Sequence, residues 1–222
     1  TCSLGYANPE INEAVIQAIS DGSMSSLNCF EEVELAEQLI ELHPWACGVR
    51  FTRGGGESCS LAVRIARAYS GKDVVLFSGY HGWHDWYLAT NIDNGDHLNS
   101  QLLPGLEPAG VPASLSGSAI PFRESNIEEF EQKLAENNGK VGVVIMEIWR
   151  YADPDLNFIA YVRKRCDEEK IVLVLDEISS GFRLNAGGSH AIWGIEPDIC
   201  ILGKALGNGH PIGAVIGRDE IM

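Results

Sequence analysis

Five short apolar runs constrain this chain more than anything else in it: Val74–Phe77, Val141–Met146, Ile171–Leu175, Ile199–Leu202 and Ala214–Ile216. They are rich in β-branched residues and show no polar–apolar alternation, so each reads as a strand covered on both faces. Segments of helical period lie around and between them. Asn8 caps a helix to Ser20, with Pro9 in its first turn and Ile11, Val15 and Ile19 on one face. Glu31–Leu42 repeats the period through Val33, Leu35, Leu39 and Leu42, and Pro44 stops it. Glu57–Tyr69 opens on three glycines, Asn126 caps a run to Glu136, and Leu156–Lys170 completes the set. Helices interleaved with fully apolar strands specify an α/β fold, a mostly parallel sheet with helices on both faces.

The chain has 222 residues, 45% hydrophobic and 21% charged, enough for one sizeable core. Its net charge of −15 would repel a phosphate backbone, which argues against nucleic-acid binding. No apolar run approaches membrane-spanning length and no signal-peptide pattern opens the sequence, so the expected setting is cytoplasmic, away from membranes. Cys2, Cys29, Cys47, Cys59, Cys166 and Cys200 show no metal-type spacing, and three of them sit inside apolar patterns as small core residues. The stretch from Asn91 to Phe122 is too long for a simple connector and reads as a functional excursion or a subunit contact. The chain starts at Thr1 without an initiator Met, and the expectation is a piece of a longer protein.

Chemistry concentrates at the ends of the strand-like runs. One ends at Asp176 and a later one leads into Gly203-Lys204, which places an amine and a carboxylate on one edge of a sheet. That edge is where open α/β sheets bind ligands. A lysine able to form a Schiff base, with a carboxylate for a pyridinium nitrogen, is the pairing that pyridoxal 5'-phosphate needs. Ile178, two residues past Asp176, points to the same side if strand geometry continues. Arg53-Gly54-Gly55-Gly56-Glu57-Ser58 runs into a helix, where glycine backbone and a helix N-terminus suit a phosphate, with Glu57 turned away as a cap or in an ion pair. Tyr80-His81-Gly82-Trp83-His84-Asp85-Trp86 offers rings to cover a flat heterocycle. The competing readings of that loop are a polar-aromatic packing element and a metal cluster of His81, His84 and Asp85.

Taken in order, the glycine-rich turn with Glu57, Ala62-Val63-Arg64-Ile65-Ala66-Arg67, Tyr80-His81-Gly82, Met146-Glu147, Asp176-Glu177-Ile178 with Gly181-Phe182-Arg183, and Gly203-Lys204 resemble class III pyridoxal phosphate aminotransferases. Within them, the glutamate-1-semialdehyde aminomutase branch is the most similar. The resemblance runs from Gly5 to Ala214. It implies the large domain of a fold-type I enzyme, with an N-terminal segment and a C-terminal small domain outside residues 1–222. It also implies a homodimer with active sites at the interface, an arrangement that the Asn91–Phe122 stretch and the Ser23–Asn28 segment between two helices both fit. Lys204 would carry the Schiff base and Asp176 would bind the ring nitrogen. Tyr80 and Ile178 would flank the ring, with His81 in the same loop as Tyr80. Gly55, Gly56 and Ser58 would hold the phosphate, and no metal is expected. The implied activity moves an amino group between an amino donor and a carbonyl acceptor, or within one molecule. A non-catalytic relic or assembly subunit is the competing class. The chain departs from the family pattern at Gly54 and Gly56, where hydroxyl residues are usual. It departs again at Glu147-Ile148, where Glu-Pro is common, and through Trp149–Asp153, which lacks the glycine and asparagine often seen in aminomutases.

Overall fold

The computed structural model describes every residue except 23–25, 94, 102 and 151, so part of the Ser23–Asn28 segment lies outside the described residues. Among the described residues, seven strands form one sheet: β1 (Gly48–Thr52), β2 (Val74–Ser78), β3 (Ala119–Pro121), β4 (Val141–Glu147), β5 (Val172–Asp176), β6 (Ile199–Leu202) and β7 (Gly213–Gly217). Their spatial order is β1-β7-β6-β5-β4-β2-β3. Neighbours from β6 through β3 run parallel, and β7 is antiparallel to both β6 and β1.

The longer helices are α1 (Pro9–Asp21), α2 (Phe30–Leu42), α3 (Gly55–Ser70), α5 (Ile127–Glu136) and α6 (Leu156–Glu169), with a single-turn α4 at Asp85–Leu88. Alternate strand residues divide the core. Val75, Phe77, Val143, Ile145, Val172, Val174, Ile199 and Ile201 pack with α3 on one face. Leu76, Val144, Leu173 and Leu175 pack with α5 and α6 on the other, where Cys200 and Leu202 meet α2 through Leu39. The inner face of α3 is Ser58, Cys59, Ala62, Val63 and Ala66, all buried, and these small residues let the helix lie close against the sheet.

Two strands were not expected from the sequence. β1 and β3 are the edges of the sheet, and edges need not be continuously apolar. Arg50 of β1 is exposed, and Pro121 ends β3, where a missing N–H breaks no interior ladder. The Asn91–Phe122 excursion therefore carries β3 as well as short turns of 3-10 helix. α1 forms where its period and cap place it, with Asn8 Oδ1 accepting from the Ile11 N–H at 3.2 Å. It nonetheless buries none of its residues: Ile11 and Val15 are half-covered and Ile19 is 62% exposed.

Leu173→Ala, at a fully buried position of β5, should lower stability by about 2–5 kcal/mol in denaturant unfolding. Leu156→Ala at the exposed start of α6 should cost about 0.5 kcal/mol or less. Equal losses would show that the two faces of the sheet do not define the core.

Candidate active site

The carboxyl ends of β1, β2, β4, β5 and β6 share one edge of the sheet, and the loops leaving them enclose a cavity of about 400 Å³. The volume suits a small molecule. Lining residues include Gly54–Gly56 after β1, Tyr80 and His81 after β2, Glu147 and Arg150 after β4, Asp176, Ile178 and Ser179 after β5, and Lys204 after β6. Seven of the eight site residues expected from the sequence meet here.

Asp176 ends the central strand and is 3% exposed. Its Oδ2 lies 2.8 Å from His81 Nδ1 and 3.4 Å from Cys59 Sγ, while Oδ1 accepts from the Ile178 N–H at 3.0 Å. His81 Nε2 stands 3.0 Å from the Ser78 carbonyl, which can only accept. The ring is thereby tied at one nitrogen to the end of β2 and at the other to the end of β5. Burial and the neighbouring Asp176 carboxylate push the Cys59 thiol well above its usual range, so Cys59 stays protonated and donates to Asp176.

Lys204 follows an extended Gly203 and takes up left-handed backbone, φ 43°, a conformation uncommon for a residue with a side chain. Its Nζ donates to Ser179 Oγ at 2.6 Å. The side chain is open to the cavity, yet desolvation of its amine end lowers its pKa. The Asp176 carboxylate opposes that shift, and the Arg150 cation adds to it. Its unprotonated fraction is accordingly larger than that of a surface lysine.

The glycine-rich turn behaves as expected at its backbone. α3 starts with Gly54 as N-cap and no side-chain cap, so the positive end of its dipole faces the cavity. A Cβ on Gly55 would stand 2.9 Å from Ile178 Cδ1, so the glycine lets the Ile178 side chain lie close over the start of α3. Glu57 accepts from the Arg53 N–H at 2.8 Å, a bond to the residue before the helix N-cap rather than to the helix's own amides.

Two expectations need correction, and one competing reading is not met. Ser58 does not face the cavity: its hydroxyl is fully buried, 2.5 Å from Thr52 Oγ1 and 3.0 Å from the Gly54 carbonyl. At the fourth helical position its side chain rotates toward the sheet, so this hydroxyl is not available to a phosphate, whereas Gly54–Gly56 and Arg53 line the cavity. Ile178 reaches the cavity, but the strand ends at Asp176 and residues 178–180 form a turn. The His81, His84 and Asp85 cluster is not assembled, because His81 spends both ring nitrogens on Asp176 and Ser78 while His84 packs against Gly56.

The sequence reading assigned no role to Ser179, to Arg150 or to Glu177. Glu147 is 6% exposed and is held by Arg150, whose Nε donates at 2.8 Å and whose Nη2 also reaches it. Glu177 is fully buried behind Asp176. Burial alone would raise its pKa, but donors from His190 and Ser189 outweigh it and hold the carboxyl down at about 2. The motif Asp-Glu-Ile-Ser held the signal, since consecutive carboxylates at a strand end must face opposite sides of the sheet.

The comparisons with known proteins agree with this geometry. A family model described as Aminotransferase class-III matches residues 1–222.

The chain belongs to the class-III aminotransferase family.

Among curated relatives, a glutamate-1-semialdehyde 2,1-aminomutase of Methanothermobacter thermautotrophicus is 37% identical over 99% of this chain and 52% of its own length. One from Methanopyrus kandleri is 35% identical over 99% and 51%. A solved transaminase with PLP bound superposes with a TM-score of 0.86 at 29% identity, covering 98% of this chain and 51% of that one. This class-III chain thus spans about half the length of the curated relatives it matches.

The Glu177 carboxyl gives this family member a defined acid sensitivity. Its folded pKa of about 2 lies below the ordinary 4.5, so its contribution is fully present above about pH 4.5 and is lost as pH falls toward 2. The difference corresponds to roughly 3 kcal/mol. Urea unfolding should show wild type losing stability between pH 5 and pH 3 more steeply than Glu177→Gln; parallel curves would contradict the assignment.

Proposed function

We propose that the full-length protein uses pyridoxal 5'-phosphate to move an amino group between an amine or amino acid and a carbonyl compound. The observation carrying the proposal is that Lys204 and Asp176 face one cavity whose rim is the uncapped N-terminus of α3. The cofactor fits the residues present. Gly54–Gly56 offer backbone N–H groups to its phosphate, Asp176 offers a carboxylate to its ring nitrogen, and Tyr80 and Ile178 supply flanking surfaces. When bound, the cofactor supplies an aldehyde carbon that accepts amines and a ring that accepts electrons.

The chain's own residues then have distinct tasks. Asp176, held in place by His81, would balance positive charge at the ring nitrogen. Lys204, its amine depressed by partial burial, attaches the cofactor and afterwards takes and returns a proton at the substrate carbon. Ser179 accepts from the Lys204 amine and orients it. A second reading, amino transfer within one molecule, is favoured by the aminomutase relatives at 35% and 37% identity.

The proposal includes a homodimer with sites at the interface. Tyr6 (91% exposed), Leu27 (81%) and Phe30 (87%) flank the uncovered faces of α1 and α2. Apolar surface of this kind marks partner contacts.

Borohydride reduction of the full-length protein with pyridoxal phosphate, followed by peptide mapping, should label Lys204. Lys204→Ala should abolish both label and turnover. A label on Lys72 or Lys140 would overturn the assignment. Sedimentation should give a dimer, and Phe30→Asp with Leu27→Asp should shift it toward monomer; an unchanged equilibrium would exclude this surface.

A further inference from the structure

Glu177 immediately follows Asp176, yet its side chain never reaches the cavity. It lies in a sealed polar cage on the opposite face of the sheet. Five hydrogen bonds converge on it: Oε1 accepts from the His190 N–H (2.8 Å) and Nδ1 (2.5 Å), and Oε2 accepts from the Ser189 N–H (2.5 Å), Ser189 Oγ (2.6 Å) and Ser180 Oγ (3.1 Å). Trp45, in the connection between α2 and β1, donates its indole N–H to His190 Nε2 at 3.1 Å.

An indole nitrogen can only donate, so His190 Nε2 must accept and the ring proton must sit on Nδ1, aimed at Glu177. The tautomer is fixed by its partners. Gly188, at φ 84°, keeps the cage open: a Cβ there would stand 2.9 Å from His190 Nδ1 and 3.1 Å from Glu177 Oε1. The other groups facing the ring are His43, stacked on it with centroids 5.5 Å apart, and the buried thiol of Cys200 close to Glu177.

We propose that Trp45 and His190 are positioning residues that act through Glu177 on the cofactor site. The inference rests on the pyridoxal phosphate reading above. Residues 176–180 are presented on two sides: Asp176, Ile178 and Ser179 line the cavity, and Glu177 and Ser180 enter the cage. Anchoring Glu177 fixes the peptide that follows it. The Ile178 N–H of that peptide binds Asp176 Oδ1, and Ser179 binds Lys204 Nζ. On the other side, the Glu177 N–H is tied at 2.9 Å to the carbonyl of Ile201 in β6, the strand that leads into Lys204. Orientation of the Asp176 carboxylate therefore depends on a tryptophan that touches neither Asp176 nor the cavity.

The experiment uses the full-length protein as Trp45→Phe, His190→Ala and His190→Gln. Three readouts are compared: the pyridoxal phosphate dissociation constant, the pH titration of the bound cofactor's visible band, and the ¹³C carboxyl resonance of Asp176 in cofactor-free protein. Trp45→Phe keeps the bulk and removes the donor. It and His190→Ala should weaken cofactor binding about three- to tenfold, the scale of one lost hydrogen bond, and shift both the titration and the resonance. His190→Gln, whose amide can donate to Glu177 and accept from Trp45, should restore wild-type behaviour. If only the melting temperature falls while titration and resonance stay put in both Trp45→Phe and His190→Ala, the cage merely supports the fold and the proposal is overturned. If wild type binds no pyridoxal phosphate, the functional reading fails instead. The Asp176 resonance then decides the relay: movement in Trp45→Phe supports it, and no movement overturns it.

Discussion

A carboxylate buried at the end of the central strand is the constraint around which this site is arranged. Removing an unpaired charge from water costs several kcal/mol, so Asp176 at 3% exposure has to be surrounded by donors. They come from the β2 loop through His81, from α3 through Cys59, and from its own turn through the Ile178 N–H. Those contacts draw the β2 loop and the start of α3 toward the end of β5, and this closes the cavity that Lys204 faces. The same strand end carries Glu177 into the opposite layer, where five donors meet it. Two adjacent carboxylates thus anchor the turn from both sides of the sheet.

Much of this was legible in the residues because buried parallel strands have an unmistakable composition. β2, β4, β5 and β6 lie within a residue or two of the apolar runs that announce them, and the polar groups just after those runs are the ones that gather. Legibility failed where burial is partial. β1 and β3 are edges, with Arg50 and Pro121 in them, and a search for continuously apolar runs passes them by. Ser58 failed for a different reason: its place in the chain beside a phosphate-type turn says nothing about which way the helix rotates it, and the hydroxyl went to Thr52. Trp45 and His190 are far apart in sequence and could be joined only by the fold.

The chain's departures from its family's usual pattern acquire physical content in the same way. Where Glu-Pro is common, Glu147-Ile148 leads to Arg150, which returns to hold the buried Glu147 at the cavity wall. With glycine at 54 and 56, the rim of the cavity there offers backbone N–H groups, the helix dipole and the neighbouring Arg53 to an anion. Both differences lie in the lining and neither touches Lys204 or Asp176. The lining next to Lys204 and Asp176, the residues proposed above to hold the cofactor, is thus where the chain departs from the pattern.

The central claim is that Asp176 keeps positive charge on the cofactor's ring nitrogen. The most direct measurement is the ¹⁵N resonance of ring-labelled pyridoxal phosphate bound to the full-length protein, followed across pH 6 to 9 in wild type and Asp176→Asn. The account predicts a protonated nitrogen throughout in wild type and an unprotonated one in the variant. An unprotonated nitrogen in wild type, or a variant indistinguishable from it, would contradict the account.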